Sequence, residues 1–471
     1  MKTLLRIFFI SILTLSQINA QKEILGYWSG KLKMLSIELD FQINVTKTNK
    51  SLNGFISIPT QKVNEFKLPV FTYKKNQIHF ELPSSAGTAN FDGKLKTDSI
   101  NGSLLQAGMK GTFSLVKTTK PIVQNQPTEQ IDEPIPYFKD DVAFKNGRVL
   151  LTGTLTTPKA EGKFPAIILL TGNGPQDRDE DIFGFKIFKI IADYLTRKGF
   201  AVLRYDDRGV GGSTGNTMQS TTEDFSNDAL AAIEFLKKQS NIDRTKIGLL
   251  GHSEGSQIAE LASVNSKDVS FIVLISGNGV DGGKALIEQQ KLILKASGVS
   301  DSLIAQNLAL QNKINYALNN DIDISSLQKE IKTFAEKDYE AFSKEVKNSI
   351  QNKEAYINSN VQSQITVFNN PWFRFYVKYD PIPTLEKIRI PVLMLFGELD
   401  LQFPPSLNKQ KMEDALTIAG NKNFKSIVFP KANHLYQEAK IGSPTEYSGL
   451  KREFVPGFLD AIGDWVLNVI K

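Results

Sequence analysis

Cysteine is absent from all 471 residues. That absence removes disulfides, thiolate metal sites, cysteine nucleophiles and lipid attachment through an N-terminal cysteine. Histidine is scarce, with three copies, so chemistry that needs an imidazole has three positions to draw on. No block of one charge sign occurs: 56 Lys and Arg are interspersed with 50 Asp and Glu, for a net charge of +6. That pattern gives no footprint for nucleic acid. Beyond the first twenty residues no apolar run is long enough to span a bilayer.

What is present begins with "MKTLLRIFFISILTLSQINA", where Lys2 and Arg6 precede an apolar run ending at Ile18-Asn19-Ala20. This reads as a secretory signal peptide over residues 1–20, cleaved after Ala20, and predicts an exported protein, periplasmic or secreted, with no stable membrane span. The remaining length, with 41% hydrophobic residues overall, supports a large core and more than one domain.

Residues 21–118 show a period of two. In "SIELDFQINV", Ile37, Leu39, Phe41, Ile43 and Val45 alternate with polar residues, and "QIHFEL" repeats the pattern. Asn53-Gly54, Asp92-Gly93 and Asn101-Gly102 punctuate it, which predicts a small antiparallel β-sandwich or barrel with His79 on its polar face. A proline-containing polar linker covers 119–137. Apolar runs such as "FPAIILL" then alternate with helical spacing over 138–280 and again over 381–471, which predicts a doubly covered, mostly parallel α/β sheet. Between them, 281–380 is mostly helical in spacing and reads as an insertion between two strands of one sheet, placed at its carboxyl edge, where α/β sheets bind ligands.

Gly-x-Ser-x-Gly occurs twice, as "GHSEG" at Gly251–Gly255 and "GGSTG" at Gly211–Gly215. A reactive serine in this pattern needs a strand leading in and a helix leading out. Ser253 has Ile247–Leu250 before it and an amphipathic segment after it; Ser213 follows "DDRGVG" and precedes polar "NTMQSTT", so it reads as a loop residue. The serine needs a base. His79 lies in the other domain, and His252 is adjacent to Ser253, whose side chain diverges from it. His434, in "FPKANHLYQ" just past an apolar strand, is left as the base. Asp400, ending "PVLMLFGELD", is the orienting acid in the chain order Ser…Asp…His; Glu398, Asp414 and Asp380 are weaker rivals. The amides of Glu254 and of Asn173, in "TGNGPQDRDE", are the expected oxyanion donors, whereas Pro175 has no N–H to give. Asp206, Asp207 and Arg208 read as an internal ion pair ordering a glycine loop. Asp177–Asp181 has no accompanying ligand cluster, so no metal and no cofactor are predicted.

Together "GNGPQDRDE", "YDDRGVGGSTG", "GHSEG", "YDPIPTLEKIRIPVLMLFGELDLQFPP" and "NHLYQ" resemble an α/β-hydrolase of the serine-aminopeptidase-like group, and within it bacterial carboxylesterases carrying a β-rich N-terminal extension. The resemblance runs from about Val142 to Lys471, and it departs from many relatives at Thr171-Gly172, where they place His-Gly. It implies Ser253, Asp400 and His434 as a triad acting on a small-molecule ester, and a helical lid formed by the insertion over 281–380. An aminopeptidase-like serine peptidase is the alternative, followed by a non-catalytic glycan- or lipid-binding protein. Acyl length, alcohol group, the ligand of the β domain and oligomeric state are not encoded legibly.

Overall fold

The computed structural model describes residues 23–34, 37–48, 51–59, 63–82, 88–106, 109–119, 134–340 and 353–471. The expected signal peptide and most of the expected linker lie outside them. The chain divides into two compact units, Met1–Gln126 with Gln328–Val367, and Pro127–Leu327 with Phe368–Lys471. The insertion expected as one lid over 281–380 is therefore shared between the two units.

In the first unit, β1 (Gly26–Met34), β2 (Ile37–Thr48), β3 (Ser51–Ile58), β4 (Val63–Lys67), β5 (Val70–Lys74), β6 (Gln77–Leu82), β7 (Ala89–Lys96), β8 (Ser99–Gln106) and β9 (Met109–Thr118) form one antiparallel sheet. Its order is β4-β3-β2-β1-β9-β8-β7-β6-β5. The edge strands β4 and β5 are consecutive in the chain, joined through Leu68 and Pro69 alone. The sheet therefore curls round on itself as a half-barrel, which settles the sandwich-or-barrel alternative. Alternation sends Phe41, Ile43, Ile78, Phe80, Phe91 and Phe113 inward, and the Phe80 and Phe91 rings stack at 4.5 Å. Burying each such side chain contributes about 1.5–3 kcal/mol, so a one-residue slip in register would expose the whole set. His79 is not a plain surface residue: it lies 2.9 Å from the buried Asp92.

The second unit holds β10 (Tyr137–Asn146), β11 (Val149–Pro158), β12 (Phe164–Leu170), the short hairpin β13 (Asp181–Ile182) and β14 (Phe185–Lys186), then β15 (Ala201–Tyr205), β16 (Ile242–His252), β17 (Val269–Ile275), β18 (Val392–Gly397) and β19 (Phe424–Phe429). The eight-stranded sheet runs β10-β11-β15-β12-β16-β17-β18-β19, antiparallel up to β15 and parallel from there on. Successive residues of β12 face opposite cores. Ala166, Ile168 and Leu170 join one cluster, and Ile167 and Leu169 the other. Helices α1 (Ile187–Arg197), α2 (Thr222–Lys237) and α3 (Glu254–Asn265) alternate with the strands. They are followed by α4 (Gly282–Ala296), α5 (Asp301–Asn319), α6 (Gln328–Glu340), α7 (Lys353–Phe368) and α8 (Pro371–Lys378) of the insertion, with α6 and nearly all of α7 assigned to the first unit. The core then resumes with α9 (Ile382–Leu385), α10 (Pro405–Ile418) and α11 (Phe458–Val469). Helices α2, α3 and α10 cover one face of the sheet, and α1 and α11 the other. Among the described residues no helix is long and apolar enough to cross a membrane.

Candidate active site

Strand β16 ends at His252 and α3 begins at Glu254, so Ser253 alone makes the turn, with φ 58° and ψ −120°. A non-glycine residue at positive φ costs on the order of 1–3 kcal/mol and persists only where its surroundings fix it. Here the Ser253 N–H donates to the Ile275 carbonyl at 2.8 Å, and Ser256 N–H to the Ser253 carbonyl at 3.0 Å. The flanking glycines are steric necessities. A Cβ on Gly251 would collide with the Gly255 carbonyl, and one on Gly255 with the Leu170 carbonyl of β12. Ser213, by contrast, is consumed structurally. Its hydroxyl donates to the Asp206 carbonyl at 2.8 Å and accepts from Thr152 N–H at 2.9 Å.

Asp400 follows β18 and His434 follows β19, both at the carboxyl edge of the sheet beside the elbow's strand order. Asp400 Oδ2 lies 2.8 Å from His434 Nδ1, and both side chains are buried. Oδ1 accepts from the amides of Gln402 (2.8 Å) and Phe403 (2.9 Å). Burial works against the Asp400 carboxylate, yet His434 and these donors outweigh it and hold the carboxyl below its ordinary range. A carboxylate only accepts, so Nδ1 carries the proton and Nε2 presents its lone pair. The rival acids are engaged elsewhere: Glu398 accepts from Lys431 N–H, Asp414 from Gln410, and Asp380 from Ile382 N–H at the start of α9. Among the described contacts Ser253 Oγ is not hydrogen-bonded to His434. The link between their loops runs instead through His252, whose Nε2 lies 3.0 Å from the His434 carbonyl oxygen.

The loop after β12 is pinned on both sides of its tip. Thr171 Oγ1 donates to Asp207 Oδ1 (2.7 Å), Gly172 N–H to Glu180 Oε1 (2.9 Å) and Gln176 N–H to Asp207 Oδ2 (2.9 Å). Arg178 grips Asp206 through its amide, Nε and Nη2. Asn173, Gly174 and Pro175 form the tip, with Asn173 exposed. The Gly172 amide is committed to Glu180, and Pro175 has none. A Cβ on Gly172 would lie 3.2 Å from Ser253 Cβ, which sets the loop against the elbow. Asp206 and Arg208 are thus not an ion pair with each other: Asp206 pairs with Arg178, and Arg208 with Asp228. Of the neighbouring acids, Asp177 accepts from Asp179 N–H, Asp179 pairs with Arg204 and Asp181 accepts from Gly184 N–H.

Glu254, the first residue of α3, leaves its amide without an intrahelical partner by virtue of its position. Its carboxyl is buried and accepts at Oε1 from Thr222 Oγ1 and Trp372 Nε1, each at 2.7 Å. Burial pushes it up to about 7, more than those two donors pull it down. Sequence reasoning missed Glu180, Thr222 and Trp372. Each acts through a tertiary contact that no local pattern marks.

An elbow serine between a parallel strand and a helix, with an acid–histidine pair on later strands, defines the α/β-hydrolase class. Within it, residues 185–437 match the model of the serine aminopeptidase S33 family, and the chain belongs to that family. It is 26% identical to esterase EstD of Thermotoga maritima over 341 residues, covering 71% of this chain and 70% of that protein. It is 22% identical over 258 residues to an uncharacterised 31.7 kDa protein of Escherichia coli, covering 54% and 79%. Among solved structures it is similar to the Pyrococcus furiosus esterase PF2001, at a TM-score of 0.41 and 14% identity, covering 74% of this chain and 96% of that one.

Proposed function

We propose that the chain is an exported serine hydrolase that cleaves carboxylic esters of small molecules through an acyl-enzyme on Ser253. The observation that carries this reading is the buried Asp400–His434 pair, 2.8 Å apart, on the sheet edge that also bears the strained Ser253 turn. In this mechanism His434 Nε2 takes the Ser253 hydroxyl proton as Oγ attacks the ester carbonyl. The amides of Glu254 and Asn173 receive the oxyanion. Collapse of the tetrahedral intermediate breaks the C–O bond, and the departing alcohol takes the proton from His434. Water then repeats the sequence on the acyl-enzyme and restores the serine.

The esterase name of the Thermotoga relative supports this substrate class, while the family's own name keeps a peptidase reading in view. The buried Glu254 carboxyl beside the nucleophile is the group such a peptidase would offer to a substrate amine. A fluorophosphonate should add mass to the peptide bearing Ser253 and none to Ser253→Ala. A panel of p-nitrophenyl esters and aminoacyl anilides separates the two activities, and turnover of anilides alone would refute the esterase assignment. Export is tested by recovering a periplasmic or secreted form whose N-terminus is Gln21.

A further inference from the structure

We propose that Glu180 and His252 are a positioning pair that locks the loop after β12 to the loop bearing His434, with His252 held as an imidazolium beside the base. This rests on the triad reading above. Glu180 is 1% exposed and sits in the left-handed region at φ 46°. Its Oε1 accepts from the Gly172 amide and lies 2.9 Å from His252 Nδ1. The other nitrogen of His252, Nε2, is 3.0 Å from the His434 carbonyl oxygen. Carbonyl and carboxylate oxygens accept only, so both ring nitrogens donate and the ring holds two protons. Burial disfavours that cation, and the adjacent Glu180 carboxylate overrides the penalty and raises the ring's affinity for its second proton.

One carboxylate oxygen thereby fixes an amide of the expected oxyanion loop and, through one ring, the backbone of the base. Ser253 is covalently next to that ring. Thr171, which precedes the Gly172 amide, is turned away to Asp207.

The electrostatic consequence has a definite sign. The His252 and His434 ring centroids are 4.8 Å apart. Asp400 acts on the His252 ring from the base side, where Tyr447 reaches the His434 backbone and Tyr436 lies near Asp400; on the loop side Asp207 lies near Glu180 and Glu254. The His252 cation faces the His434 ring from one side, and the Asp400 carboxylate lies against its Nδ1 from the other. Neutralising His252 therefore removes a positive charge from beside the base.

Glu180→Gln keeps an acceptor for Gly172 but removes the charge, leaving His252 one proton for two partners. In the mature protein with a p-nitrophenyl ester, kcat should fall on the order of ten- to a hundredfold with KM within about twofold, the scale of a misplaced catalytic group. The acid limb of kcat/KM should move to higher pH, and fluorophosphonate labelling of Ser253 should slow without vanishing. His252→Gln should do the same. In wild-type protein, proton NMR should show two slowly exchanging ring N–H signals that vanish in His252→Gln. Loss of only one ring N–H signal in His252→Gln overturns the cation, and folded variants with unchanged kcat and acid limb overturn the positioning role. Wild-type protein that is not labelled at Ser253 would instead defeat the triad reading itself.

Discussion

Trp372 on α8 donates its indole N–H to Glu254, the residue after Ser253, at 2.7 Å, so a helix of the insertion is bonded directly to the turn that bears Ser253. The acceptor is a buried carboxyl raised from 4.5 to about 7. The folded state therefore holds a proton that the unfolded chain has lost between those two values, and this group's contribution to stability declines as pH rises through that window. Glu254→Gln keeps the acceptor oxygen and removes the titration. It should melt above wild type at pH 8, by up to about 3 kcal/mol from the size of the shift, and near it at pH 5. Melting curves at the two pH values check this, and an equal difference at both would count against it.

The two Gly-x-Ser-x-Gly serines should separate cleanly on mutation. Ser213→Ala strands the Thr152 amide and loses the bond to the Asp206 carbonyl. It should lower stability by about 1–3 kcal/mol and leave fluorophosphonate labelling intact. Ser253→Ala should abolish labelling without a comparable loss of stability. Thermal melts paired with intact-mass analysis distinguish the two.

Asp400→Asn keeps an acceptor for Gln402 and Phe403 but turns an amide N–H toward His434 Nδ1. The imidazole is then held in the tautomer whose Nε2 bears the proton and cannot accept another. A loss of roughly 10³–10⁴ in kcat is expected, with the fold retained by circular dichroism. A fall of less than tenfold would mean that another acid orients His434.

Gly172→Ala places a methyl 3.2 Å from both Ser253 Cβ and Glu180 Oε1. The neighbours must yield by a few tenths of an ångström in a loop pinned on both sides. A drop of about ten- to a hundredfold in kcat/KM with little change in melting temperature is expected, because the displacement falls on the reacting centre. Steady-state kinetics alongside a melt provide the check.

Much of the second unit was legible because its signals are local. Continuous apolar runs marked β12, β16, β17 and β18, and three histidines with one chain order pointed to Asp400 and His434 as partners for Ser253. The structure brings that acid and that histidine together. Contacts between distant segments were not legible. Asp206 and Arg208 are neighbours in sequence, which suggested a mutual ion pair, yet each reaches a partner some twenty or more residues away. Glu180 sits in an acid-rich run where composition cannot say which carboxylate turns inward. In the first unit, alternation gave the inward face of each strand but not strand order, so the curl that brings the edge strands β4 and β5 together at Leu68 and Pro69 went unseen. The assignment of Gln328–Val367 to the β-sheet unit likewise has no sequence mark.

The pairing of β1 with β9 has a different kind of consequence. Tyr27 lies opposite Thr118, so the strand that opens the nine-stranded sheet is the neighbour of the one that closes it. Entry and exit share one doorway, and all nine strands precede residues 185–437, the span that matches the family. A segment whose two ends lie side by side in this way leaves the strands of the sheet that carries Ser253 with no rerouting to make.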